Sequence, residues 1–130
     1  MISIDRLDHL VLTVADIDAT CDFYRRVLGM RRVEFGPEHR VALAFGRQKI
    51  NLHKAGAEFE PRAHAPMPGS ADVCFITDAP IDEVIAHLEA ERVPIVEGPV
   101  PKTGAMGPMT SVYVRDPDRN LIEIARYGSA

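Results

Sequence analysis

An acidic residue interrupts an apolar run close to the end of the sequence. Glu123 lies in the apolar half of DPDRNLIEI, residues 116–124, and His9 opens the apolar segment HLVLTV, residues 9–14. Imidazole and carboxylate groups are ligands for divalent zinc, iron, manganese, nickel and cobalt. An unpaired carboxylate in apolar surroundings is costly, and a bound cation offsets that cost. The two residues therefore predict a metal site if the fold brings them together. The ordinary alternative is a hydrogen-bonded histidine and a solvated glutamate.

The sequence repeats one pattern of strands and a helix, which could position these residues. HLVLTVADID aligns with DVCFITDAPID after one inserted residue, and RQKINLHKAG aligns with RNLIEIARYG without a gap. Each half is predicted to be βαβββ, because β-forming runs separated by glycine- and proline-containing turns accompany one amphipathic run. The predicted helices are Asp16–Leu28 and Ile81–Glu91. The predicted strands are 9–14, 31–35, 41–45 and 49–53 in the first half, and 72–77, 94–98, 110–116 and 120–126 in the second.

The repeat places polar side chains at matched positions of the two halves. Asp72 is the counterpart of His9, Asn51 is the counterpart of Glu123, and His53 lies two residues beyond Asn51. Side chains alternate between the two faces of a strand, so these residues lie on the faces opposite the aliphatic ones. If the halves curve towards each other, the polar side chains converge in one concave site.

Length and composition are those of one globular domain. The 130 residues are 46% hydrophobic and 26% charged, with a net charge of −4 and no run of Lys or Arg. That charge disfavours a nucleic-acid partner, and no apolar stretch is long enough to span a membrane. We expect a single domain made of module one (1–54), a linker (55–70) and module two (71–130). The charged start predicts no signal peptide, and Cys21 and Cys74 are too few for a disulfide scaffold, so a cytoplasmic protein is expected.

Two motifs of the sequence resemble a known superfamily. LDHLVLTVADIDATCDFYRRVLGM is similar to the opening strand and helix of the vicinal oxygen chelate superfamily, and DPDRNLIEI is similar to its closing turn and strand. The superfamily includes glyoxalase I, fosfomycin-resistance thiol transferases, methylmalonyl-CoA epimerase, extradiol dioxygenases and metal-free bleomycin-binding proteins. QKINLHKAGAEFEPRAHAPMPGSADVCFIT resembles a narrower group of small glyoxalase-domain proteins, some associated with bacterial virulence. The resemblance covers nearly the whole chain. It implies an α+β fold, in which two pseudo-symmetric βαβββ modules form a curved eight-stranded sheet with helices outside.

The resemblance also implies a set of metal ligands. By position, His9 matches the opening-strand histidine ligand and Glu123 matches the closing-strand glutamate. The third ligand is commonly a histidine, where this sequence has Asp72, and the fourth is often Glu or Gln, where it has Asn51. Position favours Asp72 as the third ligand, whereas ligand chemistry favours His53. We therefore expect His9, Glu123 and Asp72 to bind a divalent metal ion, with His53 as the alternative ligand. Glu123, Asp72 and His53 are the candidate catalytic residues.

The implied activity is that of a metal-dependent lyase or isomerase of the glyoxalase I type, acting on a small α-hydroxycarbonyl compound or thiol adduct. The alternatives are a metal-dependent thiol transferase of the fosfomycin-resistance type and a metal-free protein that binds a small drug. A homodimer is also implied, because chains of this length in the superfamily often build their cleft with a second copy. The Gly- and Pro-rich stretch 98–109 is predicted to be a loop that could close over a site. Tyr113 and Arg115 are candidates for contact with an anionic substrate.

Overall fold

Residues 1–128 are described by the computed structural model, in which the chain divides into two units, Met1–Pro68 and Gly69–Ala130. The boundary falls inside the predicted linker, residues 55–70. Each unit contains one helix and one four-stranded mixed sheet. The predicted α+β fold of two βαβββ modules is thus confirmed, and its eight strands are divided equally between two sheets. Among the described residues, none of the helices has the length and apolar character needed to cross a membrane.

The first unit runs β1 (His9–Val14), α1 (Ile17–Leu28), β2 (Arg31–Phe35), β3 (Arg40–Phe45) and β4 (Gln48–Lys54). Its strands are ordered β1-β4-β3-β2. β1 and β4 are parallel, whereas the other neighbouring strands are antiparallel. The first and last strands of the module therefore lie side by side.

Local signals explain where α1 begins and ends. The Asp16 carboxylate accepts a hydrogen bond from the Ala19 amide at 2.9 Å, which satisfies one amide that the first helical turn leaves without a partner. Gly29 ends the helix with φ of 68°, a left-handed conformation that glycine adopts without steric cost. Phe23 and Tyr24 lie on the buried side of the helix, which contacts the sheet.

The second unit repeats this topology with β5 (Asp72–Ile76), α2 (Ile81–Ala90), β6 (Glu97–Gly104), β7 (Gly107–Arg115) and β8 (Leu121–Tyr127). Its strands are ordered β5-β8-β7-β6, and β5 and β8 are parallel. The outer strand β6 pairs only with β7 within the described residues.

The core of each unit lies between its helix and one face of its sheet. Buried aliphatic side chains alternate along the strands, as the sequence pattern predicted. They are Leu12, Val14, Leu43, Ile50 and Leu52 in the first unit, and Val112, Val114, Ile122 and Ile124 in the second. The opposite sheet faces carry the candidate polar residues, so the fold separates the core from the candidate chemistry.

The prediction of a loop at 98–109 is wrong, because the chain there forms β6, a two-residue turn and the start of β7. Pro99 and Pro101 suggested a loop, since proline lacks the amide hydrogen that an interior strand needs. β6 is the outermost strand of its sheet, where proline is tolerated. The stretch is therefore part of a hairpin of the sheet. The strand predicted at 94–98 is β6, which begins at Glu97 instead of Pro94.

The DPDRN turn joins β7 to β8 through a buried hydrogen-bond network. Asp116 Oδ1 accepts from the amides of Asp118 and Asn120, each at 2.9 Å, and Asp116 Oδ2 accepts from the Asn120 side-chain amide at 2.8 Å. Asn120 Oδ1 in turn accepts from the Ala71 amide at 2.9 Å. The network holds the start of β5 beside the start of β8 and so sets the register in which Glu123 lies.

Candidate functional site

Glu123 lies in the middle of β8 with a neighbour on each side in the sheet. Its register partners are Cys74 on β5 and Tyr113 on β7, and the three side chains project from one face. Ser111, two residues before Tyr113, donates its hydroxyl to Glu123 Oε2 at 2.6 Å. The carboxylate therefore stands among a hydroxyl, a phenol and a thiol, although the sequence around it is apolar.

Both register partners respond to the Glu123 charge. Partial desolvation and the adjacent Glu123 carboxylate raise the pKa of Cys74 to about 11. Desolvation and the same carboxylate raise the pKa of Tyr113 to about 12. Both groups stay protonated at neutral pH. Ser111 donates one hydrogen bond to the roughly four acceptor positions of the carboxylate, which leaves room for further partners.

The partners of Glu123 are all neutral. Within residues 1–128, no lysine, arginine or histidine forms an ion pair with it. Hydrogen bonds from neutral groups stabilise the carboxylate but leave its negative charge uncompensated. Such a group suits a cation as its remaining partner.

Asp72 shares this face but lies further along the sheet. It is the first residue of β5, is exposed and pairs with Leu121. Cys74 is two positions further along the strand, which corresponds to roughly 6.6–6.8 Å. After burial and Glu123, the charge of Asp72 is a further cause of the raised pKa of Cys74. The structure thus places Asp72 on the same face as Glu123, but not directly beside it.

His9 begins β1 in the first unit, and the preceding residue orients its ring. Its Nδ1 atom lies 2.8 Å from Asp8 Oδ2, and 42% of its side chain is exposed. A carboxylate partner on Nδ1–H leaves the lone pair of neutral imidazole on Nε2, the arrangement typical of metal-binding histidines. The same hydrogen bond lowers the pKa of Asp8. His9 is therefore oriented to act as a ligand through Nε2.

His53 lies on β4 with only 3% of its surface exposed, and its Nε2 atom is already engaged. Arg40 Nη2 lies 3.0 Å from that atom. A guanidinium can only donate, so Nε2 accepts and the ring proton is on Nδ1. Burial and the Arg40 charge lower the pKa of His53. A metal bound through Nε2 would have to displace Arg40, which argues against His53 as a ligand.

A further group of polar side chains accompanies His53 on this sheet face. Strand β3 starts at Arg40, one residue earlier than predicted, and alternation puts Arg40 on the same face as Asn51 and Lys49. Asn51 is 5% exposed, and its Oδ1 atom is buried without a hydrogen-bond partner in residues 1–128. Lys, Asn and His at alternate positions 49, 51 and 53 were the signal that this face is polar.

Sequence reasoning missed Asp8, Cys74 and Ser111. The signal for Asp8 is its position next to a histidine. Cys74 is two positions after Asp72, and Ser111 is two positions before Tyr113, so alternation puts each on the same sheet face as that residue. Only the strand register shows that Cys74 and Ser111 lie close to Glu123. Tyr113, a candidate for substrate contact, lies beside Glu123 as its register partner. Arg115 is exposed and donates to the Arg119 carbonyl at 3.3 Å.

His9 in the first unit and Glu123 in the second each offer a donor atom that suits a divalent cation. Within residues 1–128, no three His, Cys, Asp or Glu side chains are close enough together to hold a metal ion. His9 nevertheless offers an open Nε2 atom, and Glu123 offers an uncompensated carboxylate. Nitrogen and oxygen donors of these kinds bind zinc, nickel, manganese, iron and cobalt.

Comparison with known proteins gives matches along most of the chain. Residues 6–124 match a family model described as Glyoxalase/Bleomycin resistance protein/Dioxygenase superfamily. The chain is 57% identical over 124 residues to virulence protein STM3117 of Salmonella typhimurium, covering 95% of this chain and 85% of that protein. It is 54% identical over 129 residues to glyoxalase domain-containing protein RDO1 of Mycosarcoma maydis, covering 99% of this chain and 72% of that protein.

Solved structures show the same architecture. The crystal structure of STM3117 matches with a TM-score of 0.95 at 56% identity, covering 98% of this chain and 100% of that chain. A lactoylglutathione lyase from Agrobacterium tumefaciens matches with a TM-score of 0.72 at 28% identity, covering 95% of both chains.

Proposed function

The chain belongs to the glyoxalase/bleomycin resistance protein/dioxygenase superfamily, and we propose that it is a metal-dependent lyase or isomerase of the glyoxalase I type. Its substrate class would be a small α-hydroxycarbonyl compound or thiol adduct, with two adjacent oxygens that can chelate a metal. The similarity to a lactoylglutathione lyase, at 28% identity over 95% of both chains, supports this reaction class.

The observation that carries the proposal is the uncompensated charge of Glu123. A half-buried carboxylate in the middle of a strand accepts from the neutral Ser111 hydroxyl and has the neutral Cys74 and Tyr113 side chains as its register neighbours. A purely structural carboxylate at such a position would usually have an arginine or lysine beside it, because burying a lone charge is costly. A divalent ion supplies the missing positive charge.

The proposed ligands are His9, Glu123 and Asp72, and the identity of the ion among zinc, nickel, manganese, iron and cobalt is left open. When bound, the ion supplies a Lewis acid that polarises a substrate oxygen. Asp8 fixes the tautomer of His9, and Ser111 fixes the orientation of the Glu123 carboxylate. Asp8 and Ser111 each act on a proposed metal ligand and not on the substrate.

Proton transfer is assigned to the carboxylates on the second sheet. Asp72 is exposed on the same face as Glu123, so it is either the third ligand or the group that accepts the substrate proton. His53 is a weaker candidate for the base, because Arg40 occupies its Nε2 lone pair. Tyr113, with a pKa of about 12, keeps its proton and lies beside Glu123 in the sheet.

The test is the metal content and activity of protein purified without added metal or chelator. Wild type should contain about one equivalent of a divalent metal per chain, and His9→Ala and Glu123→Gln should each lose it. Glu83→Gln, which changes an exposed glutamate of α2 in the same way, should retain it. If Asp72→Asn also loses the metal, Asp72 is a ligand; if it keeps the metal and loses turnover, Asp72 is the base. Unchanged metal content in Glu123→Gln, or none in wild type, contradicts the proposal, and the latter result favours a small-molecule binding protein.

We also propose that the chain is a homodimer. Within the described residues, the outer strands of both sheets pair on one side only, and unpaired strand edges favour association with a second copy. Ile2, Ile4 and Leu7 at the start of the chain are exposed by 83%, 78% and 67%, so burying them would favour a dimer. Sedimentation velocity at micromolar concentration should show a dimer, and a monomer would contradict this proposal.

A further inference from the structure

Two cations of the first unit rest on aromatic rings. Lys49 Nζ lies 3.5 Å from the centre of the Phe35 ring. The guanidinium carbon of Arg40 lies 5.3 Å from the same centre and 4.6 Å from the centre of the Phe59 ring. Neither cation forms an ion pair with a carboxylate of residues 1–128. Aromatic faces stabilise a cation without neutralising it, so two positive charges are left for another partner.

The acidic side chains around this cluster have partners of their own. Glu58 accepts from the Gly56 amide at 2.6 Å and from Arg62 at 2.7 Å. Glu60 lies 3.1 Å from Arg62 Nε. Asp8 is held by His9 at 2.8 Å. The Lys49 charge is one of the lesser causes that lower the pKa of Asp8, but the two groups form no ion pair. Arg40 and Lys49 therefore lack an ion-paired carboxylate within residues 1–128.

Two buried polar atoms of the cluster lack partners within residues 1–128. One is the Arg40 Nε donor, and the other is Oδ1 of Asn51, a side chain only 5% exposed. Folded proteins satisfy most buried polar atoms, so an unsatisfied pair on one sheet face indicates a missing partner. The Arg40 donor suits an anion oxygen, whereas Asn51 Oδ1 is an acceptor and suits a hydroxyl or N–H of the same molecule.

We propose that Arg40 and Lys49 bind the anionic group of a small molecule, a carboxylate or a phosphate, and that Asn51 Oδ1 accepts a hydrogen bond from a hydroxyl or N–H next to that group. Arginine and lysine are the usual cations for both groups, and an arginine N–H gives a charge-assisted hydrogen bond to either. Phe35 and Phe59 hold the cations in place and present apolar surface to the rest of the molecule. The inference goes beyond the proposed function, since it depends on residues of the first unit alone and requires no metal.

The experiment is a titration of the chelator-treated, full-length chain, followed by amide NMR at constant ionic strength. Succinate and inorganic phosphate are the two probes. At least one should cause saturable shifts of the β4 amides of residues 49–53. Arg40→Gln and Lys49→Gln should weaken the binding by roughly 10-fold to 100-fold, the effect of losing one charge-assisted hydrogen bond. Lys49→Arg, which keeps the positive charge that Lys49→Gln loses, should retain most of the wild-type binding.

The matched control is Arg47→Gln, which removes the same charge from the exposed turn between β3 and β4. It should bind both anions as wild type does. If Arg40→Gln fails to fold, Lys49→Gln and Asn51→Asp carry the test, because the new carboxylate at position 51 should abolish anion binding. Tighter binding of succinate assigns a carboxylate, and tighter binding of phosphate assigns a phosphate.

The inference is overturned if wild type shows no saturable shifts with either probe. It is also overturned if Arg47→Gln weakens binding as much as Lys49→Gln does, since the effect would then be general charge screening. Metal content has no influence on these outcomes, so failure here is distinct from failure of the metal proposal.

Discussion

The Ser111 hydroxyl donates to the Glu123 carboxylate across β7 and β8 at 2.6 Å, and Ser111 itself is fully buried. The donor is neutral, so it orients the carboxylate without reducing its charge. That combination suits a ligand for a cation, because a fixed carboxylate loses little freedom when the ion binds.

Replacing Ser111 with alanine should therefore weaken metal binding without removing a ligand. We expect a loss of affinity of about 10–100-fold, the range for a residue that hydrogen-bonds to a ligand, measured by competition with a chromogenic chelator. Thr103→Ala, which removes an exposed hydroxyl from β6, is the control and should bind as wild type. Equal affinity in Ser111→Ala and wild type would show that the hydrogen bond does not support the proposed ligand.

The exposed thiol of Cys74 should react slowly despite its accessibility. Although Cys74 as a residue is exposed, partial desolvation and the Glu123 charge raise its pKa from 9.0 to about 11. The thiolate fraction is therefore small at pH 8 and grows roughly tenfold with each pH unit. In chelator-treated protein, the rate of iodoacetamide labelling at Cys74, followed by peptide mapping, should still be rising at pH 10. Glu123→Gln removes the negative charge, so its labelling curve should move to lower pH. A wild-type curve that levels off near pH 9 would be inconsistent with the raised pKa.

His53 should make the stability of the metal-free protein depend on pH. Its pKa is lowered in the folded state by burial and Arg40, so below about pH 6.5 the unfolded chain binds the proton more readily than the folded chain does. The free energy of unfolding should therefore fall as pH decreases from 7.5 to 5.5. In urea titrations, His53→Gln should show a smaller fall over this window, whereas a variant of the exposed His64 should behave as wild type. An identical pH dependence in His53→Gln would contradict the assignment.

We expect Asn120 to contribute to the stability of the fold and not to the catalytic activity. Its side chain is 1% exposed and links Asp116 to the Ala71 amide. Asn120→Ala removes the hydrogen bonds that Asn120 makes to Asp116 Oδ2 and to the Ala71 amide, which should cost about 2–4 kcal/mol in the free energy of unfolding. Asp82→Ala, at an exposed position of α2, should change it by much less. Urea denaturation measures the free energy of unfolding of both variants. A smaller loss of stability in Asn120→Ala than in Asp82→Ala would refute the structural role of Asn120.

The positions of β1, α1 and β2 were predictable because local chemistry sets them. Asp16 and Gly29 mark the ends of α1, and alternating aliphatic residues identify the core faces. The proline-rich β6 was not predictable, because its strand character depends on its place at the edge of the sheet.

The candidate site was predictable only in part. Alternation along single strands identified Glu123 and Asp72 as sharing a face, but it could not show that Ser111 and Tyr113 would meet Glu123, since that depends on the β7–β8 register. The Arg40–His53 hydrogen bond was missed because it requires β3 to start one residue earlier than the pattern indicated.

The hydrogen bond from the Ala71 amide to Asn120 spans 49 residues, and this separation bears on how the molecule is made. In sequence order, β5 and β8 are the first and last strands of the second module, yet they are adjacent and parallel in its sheet. The second module therefore has no complete sheet until nearly its whole sequence has left the ribosome. Contacts between distant residues require closure of a long loop and slow the folding of a domain. In the first module, β1 and β4 are both available once residue 54 has been synthesised. During translation, the first module can therefore assemble its sheet while the second is still incomplete.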